Sequence, residues 1–318
     1  WCTVAGAGLH ALVQFLSVRK HGFFFQTALR TQWHHVRTFF RLGIPRIFAI
    51  ITTQINVVVD TSIASFVPFG SLAILRYAQD INSFPMGIVG LSVATSSFGV
   101  LSSLALKGDL LAFSDAFRHN FHRILFFILP SAVGLYLLRF PITELILHGG
   151  AFTTDDTIHT ANTIAWLALG LLGTATIPFL SRAFYAQKNT RLPLYAGVVG
   201  VAINLVLDLL LYRSWGIYGL AFASSVSALT QMLILLYFLA QKIRWYDLIS
   251  VRLLSETVIC TLAMWLVLVG VMSYFATPVG TLNLALYLGI ISSFGAVIYF
   301  GLTRFFGTFQ NLIQNKNA

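Results

Sequence analysis

Residues 201–224 read VAINLVLDLLLYRSWGIYGLAFAS, two apolar runs on either side of a short SWGIYG turn. The runs are too long and too evenly apolar for strands, and helices of this kind satisfy their own backbone hydrogen bonds in a lipid interior. The short connection makes the two helices an antiparallel hairpin, side by side. Into the first helix the sequence places Asn204 and Asp208, four residues apart and therefore on one face. A carboxylate is costly in hydrocarbon, so a buried one is retained for a function by default.

Composition extends this reading to the whole chain. Of 318 residues, 57% are hydrophobic and 9% charged, against roughly 25% charged in soluble domains. The protein is therefore expected to be an all-α polytopic membrane protein, its length measured in spans of about 20 residues. The net charge of +10 belongs to loops at the membrane surface and not to a nucleic-acid partner. Cys2 and Cys260 both lie in apolar runs and read as packing residues. The chain opens at Trp1 already inside an apolar segment with no basic stretch before it, so it is expected to be a fragment lacking its N-terminal part.

About nine spans are expected. Residues 1–18 are the end of a truncated one. Others follow at about 43–66, 72–105, 122–147, 160–186, 194–212, 216–240, 253–275 and 281–303. Pro85 and Gly87 predict a bend or break in the second of these. Residues 19–42 alternate basic and aromatic side chains at helical spacing, the pattern of an interfacial amphipathic helix and cytoplasmic loop. The organisation is then a six-helix bundle over 43–240, two further helices over 253–303 and a tail over 304–318. With the 19–46 region cytoplasmic, all of the 20 Lys and Arg except Arg76, Arg139 and Arg213 fall on that side. That bias supports both the span count and a cytoplasmic C-terminus.

Polar residues within spans are the candidates for function. One span carries Gln54, Asn56 and Asp60; the next carries Arg76, Asp80 and Asn82. Amides in membrane helices commonly bond neighbouring helices, and Arg76 and Asp80, four apart, either pair at the membrane edge or line a polar cavity. A hard cation such as sodium requires several oxygens, and Asp208, Asn204 and Ser224 of the hairpin supply them. A proton site is the competing reading of the same carboxylates. His34 with His35 and His119 with His122 lack a third ligand for a metal. Ala221, Ser225 and Ala228 read as close helix packing. No Walker loop, helical HExxH or nucleophile elbow is present, so no enzyme is indicated.

Several stretches together resemble a known family. HGGAFTTDDT (148–157), SRAFYAQKNTRLP (181–193), INLVLDLLL followed by GLAFASS, INVVVDTSIAS and YAQDINSFPMGIVGLSVAT are similar to the MurJ/MviN lipid II flippases, of the multidrug/oligosaccharidyl-lipid/polysaccharide exporter superfamily. The resemblance runs from about residue 1 to 240; beyond it, 253–303 match only as hydrophobic helices. It implies fourteen helices in two lobes around a central cavity, of which this chain holds the end of the sixth helix and the C-terminal lobe, the N-lobe being the missing partner. It also implies a sodium site at Asp60, Asn204, Asp208, Leu220 (through its carbonyl) and Ser224, with sodium as coupling ion and no other cofactor.

One family feature does not transfer. Where members carry Tyr-Ala-Asp-Arg, this chain has Tyr77-Ala78-Gln79-Asp80, and the proline usual later in that helix is Gly99. The cavity arginine is thus absent at its position, leaving Gln54, Arg76 and Asp80 as candidate cavity residues. The expected function is translocation of an undecaprenyl-linked peptidoglycan precursor across the bacterial inner membrane for cell-wall biogenesis, by alternating access coupled to a cation or the membrane potential. A groove on the last two helices would take the lipid tail. The alternatives are a polysaccharide-lipid or multidrug exporter of the same superfamily, or a non-transporting scaffold for cell-wall enzymes.

Overall fold

The computed structural model describes residues 2–20, 33–67, 70–243, 249–275, 278 and 280–308. The chain forms two compact units, Trp1–Gly43 and Ile44–Ala318. Helix α1 (Cys2–Lys20) lies in the first, with every described side chain from Val4 onward exposed. Of the stretch expected to lie at the interface, residues 21–32 fall outside the described ones, and 33–42 are the beginning of α2 (Trp33–Ala64).

The second unit is an up-and-down array of helices. After α2 come α3 (Ser71–Pro85), a π-helical stretch (Met86–Leu91), α4 (Ser92–Lys107), α5 (Leu110–Leu147), α6 (Thr154–Ala186), α7 (Arg191–Trp215), α8 (Ile217–Ala240), α9 (Val251–Tyr274) and α10 (Thr281–Phe305). Among the described residues, seven segments are long and apolar enough to cross a membrane, counting Ser71–Lys107 as one. The break predicted at Pro85 and Gly87 is this π-helical stretch. Proline has no N–H to give the preceding turn, and a wider turn accommodates the loss.

Helices α5 and α6 start earlier than hydropathy predicts, at Leu110 and Thr154. Their polar first turns extend the apolar spans, and each is capped. Asp109 accepts from Ala112 N–H at 3.0 Å, and Thr153 and Asp156 form a reciprocal capping box at the start of α6. Much of the acidic TTDD motif is thereby explained as helix initiation.

Helix α6 is the centre of the bundle, packed against α3, α4, α5 and α8. Its Gly170 and Gly173 admit α8 so closely that an added Cβ would sit 2.5 Å from Ser225 Cα and 2.6 Å from the Ala228 carbonyl carbon. Lipid gives helices no hydrophobic reason to associate, so small residues and close contact supply the attraction. Ser225 Oγ donates to the Trp166 carbonyl at 2.7 Å across this contact, and Ser227 Oγ to that of Gly200 at 2.7 Å. Ala221, Ser225 and Ala228 thus form the close-packing face expected of them.

A buried aromatic core joins α5 and α6 through Phe117 and Phe179, whose rings stack at 5.0 Å. Helices α9 and α10 dock on α5 through a separate cluster that includes Phe126, Cys260, Met264 and Tyr299. There Tyr299 Oη donates to the Phe126 carbonyl at 2.6 Å. Cys260 is a buried packing residue, and buried His122 accepts the Ser250 backbone N–H at 2.8 Å, holding the start of α9 to α5.

Candidate functional site

Three helices converge on a buried polar cluster. Near the C-terminal end of α2 stands Asp60; Asn204 and Asp208 occupy one face of α7; Leu220 and Ser224 lie in the first two turns of α8. The α7–α8 turn is made at Gly216, whose φ of 55° is a conformation that side chains rarely adopt. That tight reversal sets Ser224 beside Asn204. Asp60 is 3% exposed, and Asn204, Asp208 and Leu220 are 0% exposed.

The hydrogen bonds define the geometry. In the orientation that satisfies both ends of its amide, Asn204 Nδ2 donates to Asp60 Oδ1 at 2.8 Å and also to Asn56 Oδ1. Its Oδ1 accepts the Ser224 backbone N–H at 3.2 Å, and Ser224 Oγ donates to Asp60 Oδ2 at 3.2 Å. The carboxyls of Asp60 and Asp208 lie within hydrogen-bonding reach of each other, while Asp208 Oδ1 is buried with no hydrogen-bond partner.

Two carboxyls meeting in a dry site require a proton or a cation to share. The surroundings supply amide and hydroxyl oxygens, the donors a hard cation takes. Among the described residues no three His, Cys, Asp or Glu side chains converge as a metal cluster. The set is two carboxyls with neutral oxygens, and the orphaned Asp208 oxygen is the group that a shared proton or a bound cation would satisfy.

Asn56 is the member that sequence reasoning did not place here, although its signal is visible. Asn56-Val57-Val58-Val59-Asp60 and Asn204-Leu205-Val206-Leu207-Asp208 are the same Asn-x-x-x-Asp pattern on two helices. Each puts an amide one turn before a carboxylate, and the structure brings the two copies together.

The candidate cavity residues lie outside this buried core, with Arg76 at its edge. Gln54, Arg76 and Asp80 are all exposed on α2 and α3. Arg76 does not pair with Asp80; its Nη2 donates across to Thr61 Oγ1 at 2.9 Å, next in sequence to Asp60. Arg182 Nη1 donates to Thr95 Oγ1 at 2.6 Å, linking α6 to α4.

A membrane-embedded helical lobe with an oxygen-lined polar site at the junction of three helices is the architecture of a secondary transporter. The family model described as "Lipid II flippase MurJ" matches residues 1–289, and the chain belongs to that family. The match continues through α9 into α10, further than the sequence motifs alone carried the resemblance.

Similar curated proteins include the probable lipid II flippases MurJ of Rickettsia prowazekii and Thermotoga maritima. The first is 28% identical over 302 residues, 94% of this chain and 59% of the relative. The second is 31% identical over 220 residues, 69% of this chain and 44% of the relative. The chain thus spans about half the length of these relatives. A solved lipid II flippase MurJ in an inward closed conformation superposes with a TM-score of 0.72 at 26% identity, over 96% of this chain and 61% of that one. An outward-facing multidrug resistance MATE transporter has the same fold, with a TM-score of 0.55 at 18% identity, over 82% of this chain and 62% of that one.

Proposed function

We propose that this chain is the ion-coupled lobe of a flippase that moves an undecaprenyl-linked peptidoglycan precursor, lipid II, across the bacterial inner membrane. The observation that carries the reading is the family match over residues 1–289 together with a buried Asp60–Asn204–Asp208 cluster inside it. Lipid-linked precursor and surrounding lipids are its partners, and the lobe missing from this chain completes the cavity. Its C-terminus is cytoplasmic, as the one-sided distribution of Lys and Arg favours.

The cluster is the coupling site. Asp60, Asp208, Asn204, Ser224 and the Leu220 carbonyl would hold sodium, which supplies positive charge between the two carboxyls. Because the ligands come from α2, α7 and α8, filling the site draws three helices into one arrangement and biases the equilibrium between cavity orientations. Arg76 presents a cation from the exposed face of α3 toward the phosphates of the substrate, in place of the family arginine at position 80.

The test is translocation of lipid II by the full-length protein in vesicles carrying an imposed sodium gradient. Sodium-driven transport that is lost in Asp208→Ala supports the reading. Transport that is unchanged by Asp208→Ala removes the coupling site, and an absence of lipid II movement in the unsubstituted protein removes the flippase assignment.

A further inference from the structure

Helices α5, α6 and α9, with Tyr218 at the start of α8, line a cavity of about 770 Å³. Its volume is that of a small-molecule site. The walls are mostly apolar, among them Val133, Leu169 and Leu262, and two tryptophans, Trp166 and Trp265, stand in it. Leu169 and Leu262 are each 52% exposed, so the cavity opens at the surface of this lobe. Helix α10, the other member of the C-terminal pair, contributes nothing to its lining.

One charge breaks the apolar surface. Arg139 lines the cavity with half-buried Asn162 beside it. Its guanidinium lies 4.7 Å from the centre of the Tyr136 ring and 4.8 Å from that of Phe140, and Nη1 donates to the Tyr136 carbonyl. The two rings hold the cation in place without neutralising it. Arg139 Nε is buried with no hydrogen-bond partner, and no described carboxylate forms an ion pair with the side chain. A fixed, uncompensated guanidinium in a largely apolar cavity calls for an anion.

Its depth matches a headgroup. Helix α5 has 38 residues, about 57 Å of helix against a hydrocarbon core of about 30 Å. The polar overhang of α5 lies mostly in its first turns, and Arg139 stands eight residues before the other end at Leu147, roughly 12 Å along the axis, from which a long arginine side chain reaches toward the interface. Tyr136, Trp166, Tyr218 and Trp265 around it are the amphipathic rings that settle at that level. Arg139 is also one of only three basic residues on a face otherwise depleted of them, Arg76 and Arg213 being the others.

We infer that this cavity binds an anionic phospholipid of the leaflet remote from the basic loops. The phosphate sits on Arg139 and Asn162, and an acyl chain lies along Leu169, Leu262 and Trp265. The inference needs only the membrane setting and stands apart from the transport reading.

Trp265 is a built-in reporter for the test. The full-length protein is placed in phosphatidylcholine nanodiscs with increasing fractions of brominated phosphatidylglycerol or brominated phosphatidylcholine. The fluorescence component removed by Trp265→Phe is followed. Quenching is expected at about fivefold lower mole fraction of the anionic lipid, the preference one basic side chain gives at an anionic surface. Arg139→Gln should erase the preference, and Leu262→Phe, which narrows the cavity with the charge intact and adds no indole, should weaken quenching by both lipids. Equal quenching by the two lipids in the unsubstituted protein, or a preference that survives Arg139→Gln, overturns the inference. So does displacement of the brominated lipid by an equimolar polyprenyl phosphate, which would make a different lipid the occupant.

Discussion

Asn204 on α7 donates its amide N–H to Asp60 Oδ1 on α2 at 2.8 Å, across 144 residues of sequence, and the same amide accepts from α8. One side chain therefore ties three helices, and it does so with both of its polar ends. Replacing it with leucine keeps the approximate volume and removes both functions. Asn204→Leu is expected to destabilise the lobe by about 1–3 kcal/mol, the cost of leaving buried polar partners unsatisfied. Thermal unfolding of the purified protein in detergent checks this, and a melting temperature equal to that of the parent would contradict the bonding described.

Asp208 has a different place in the same cluster, since one of its oxygens has no partner at all. Its role is thus read out by a ligand and not by loss of a bond. Sodium should raise the melting temperature of the full-length protein relative to choline at equal ionic strength. A ligand at a hundred times its Kd adds about 2.7 kcal/mol. In Asp208→Asn the sodium response should vanish while the protein remains folded. Stabilisation that follows pH and ignores sodium would instead assign the site to a proton.

The contact of α6 with α8 is as tight as backbones allow. A Cβ on Gly170 would meet Ser225 Cα at 2.5 Å, and one on Gly173 the Ala228 carbonyl carbon at 2.6 Å. Both obstacles are backbone atoms and cannot rotate away. Gly173→Val should therefore lower stability by about 1–3 kcal/mol or more, as overpacking does, and reduce the amount of folded protein recovered from membranes. Gly134→Ala is the control, because nothing lies within 4 Å of a Cβ there. If the two variants melt alike, the close approach is not what holds α6 and α8 together.

Most of this architecture is legible in the sequence because a bilayer leaves the chain few choices. Apolar runs fix the helices, the short turn at Gly216 fixes the hairpin, and Asp60 and Asp208 stand out by cost alone. Three things are not legible, for physical reasons. Helix ends were misplaced where polar capped turns at Asp109 and Thr153 carry α5 and α6 past their apolar stretches, which hydropathy does not register. Asn56 was passed over because an amide in a membrane helix has many uses, and only the fold shows which neighbour it meets. Arg139 stands in the sequence only as one of three basic residues on the side opposite the basic loops, because the aromatic rings and cavity that surround it are brought together by the fold alone.

Arg76 and Asp80 are separated by one helical turn, yet the arginine reaches across to Thr61 Oγ1 at 2.9 Å and leaves Asp80 exposed. The arginine therefore stands against α2 beside Asp60, whereas Asp80 is exposed and forms no ion pair among the described residues. Arg76→Ala in the full-length protein should impair growth of a flippase-depleted strain, and Arg76→Lys should restore part of it, since charge is kept while the planar donor set is lost. Asp80→Ala should grow nearly as well as the parent. Protein levels measured by immunoblot separate a transport defect from poor folding. Full growth of Arg76→Ala at normal levels would mean that the cation this lobe lacks at position 80 is not supplied from position 76.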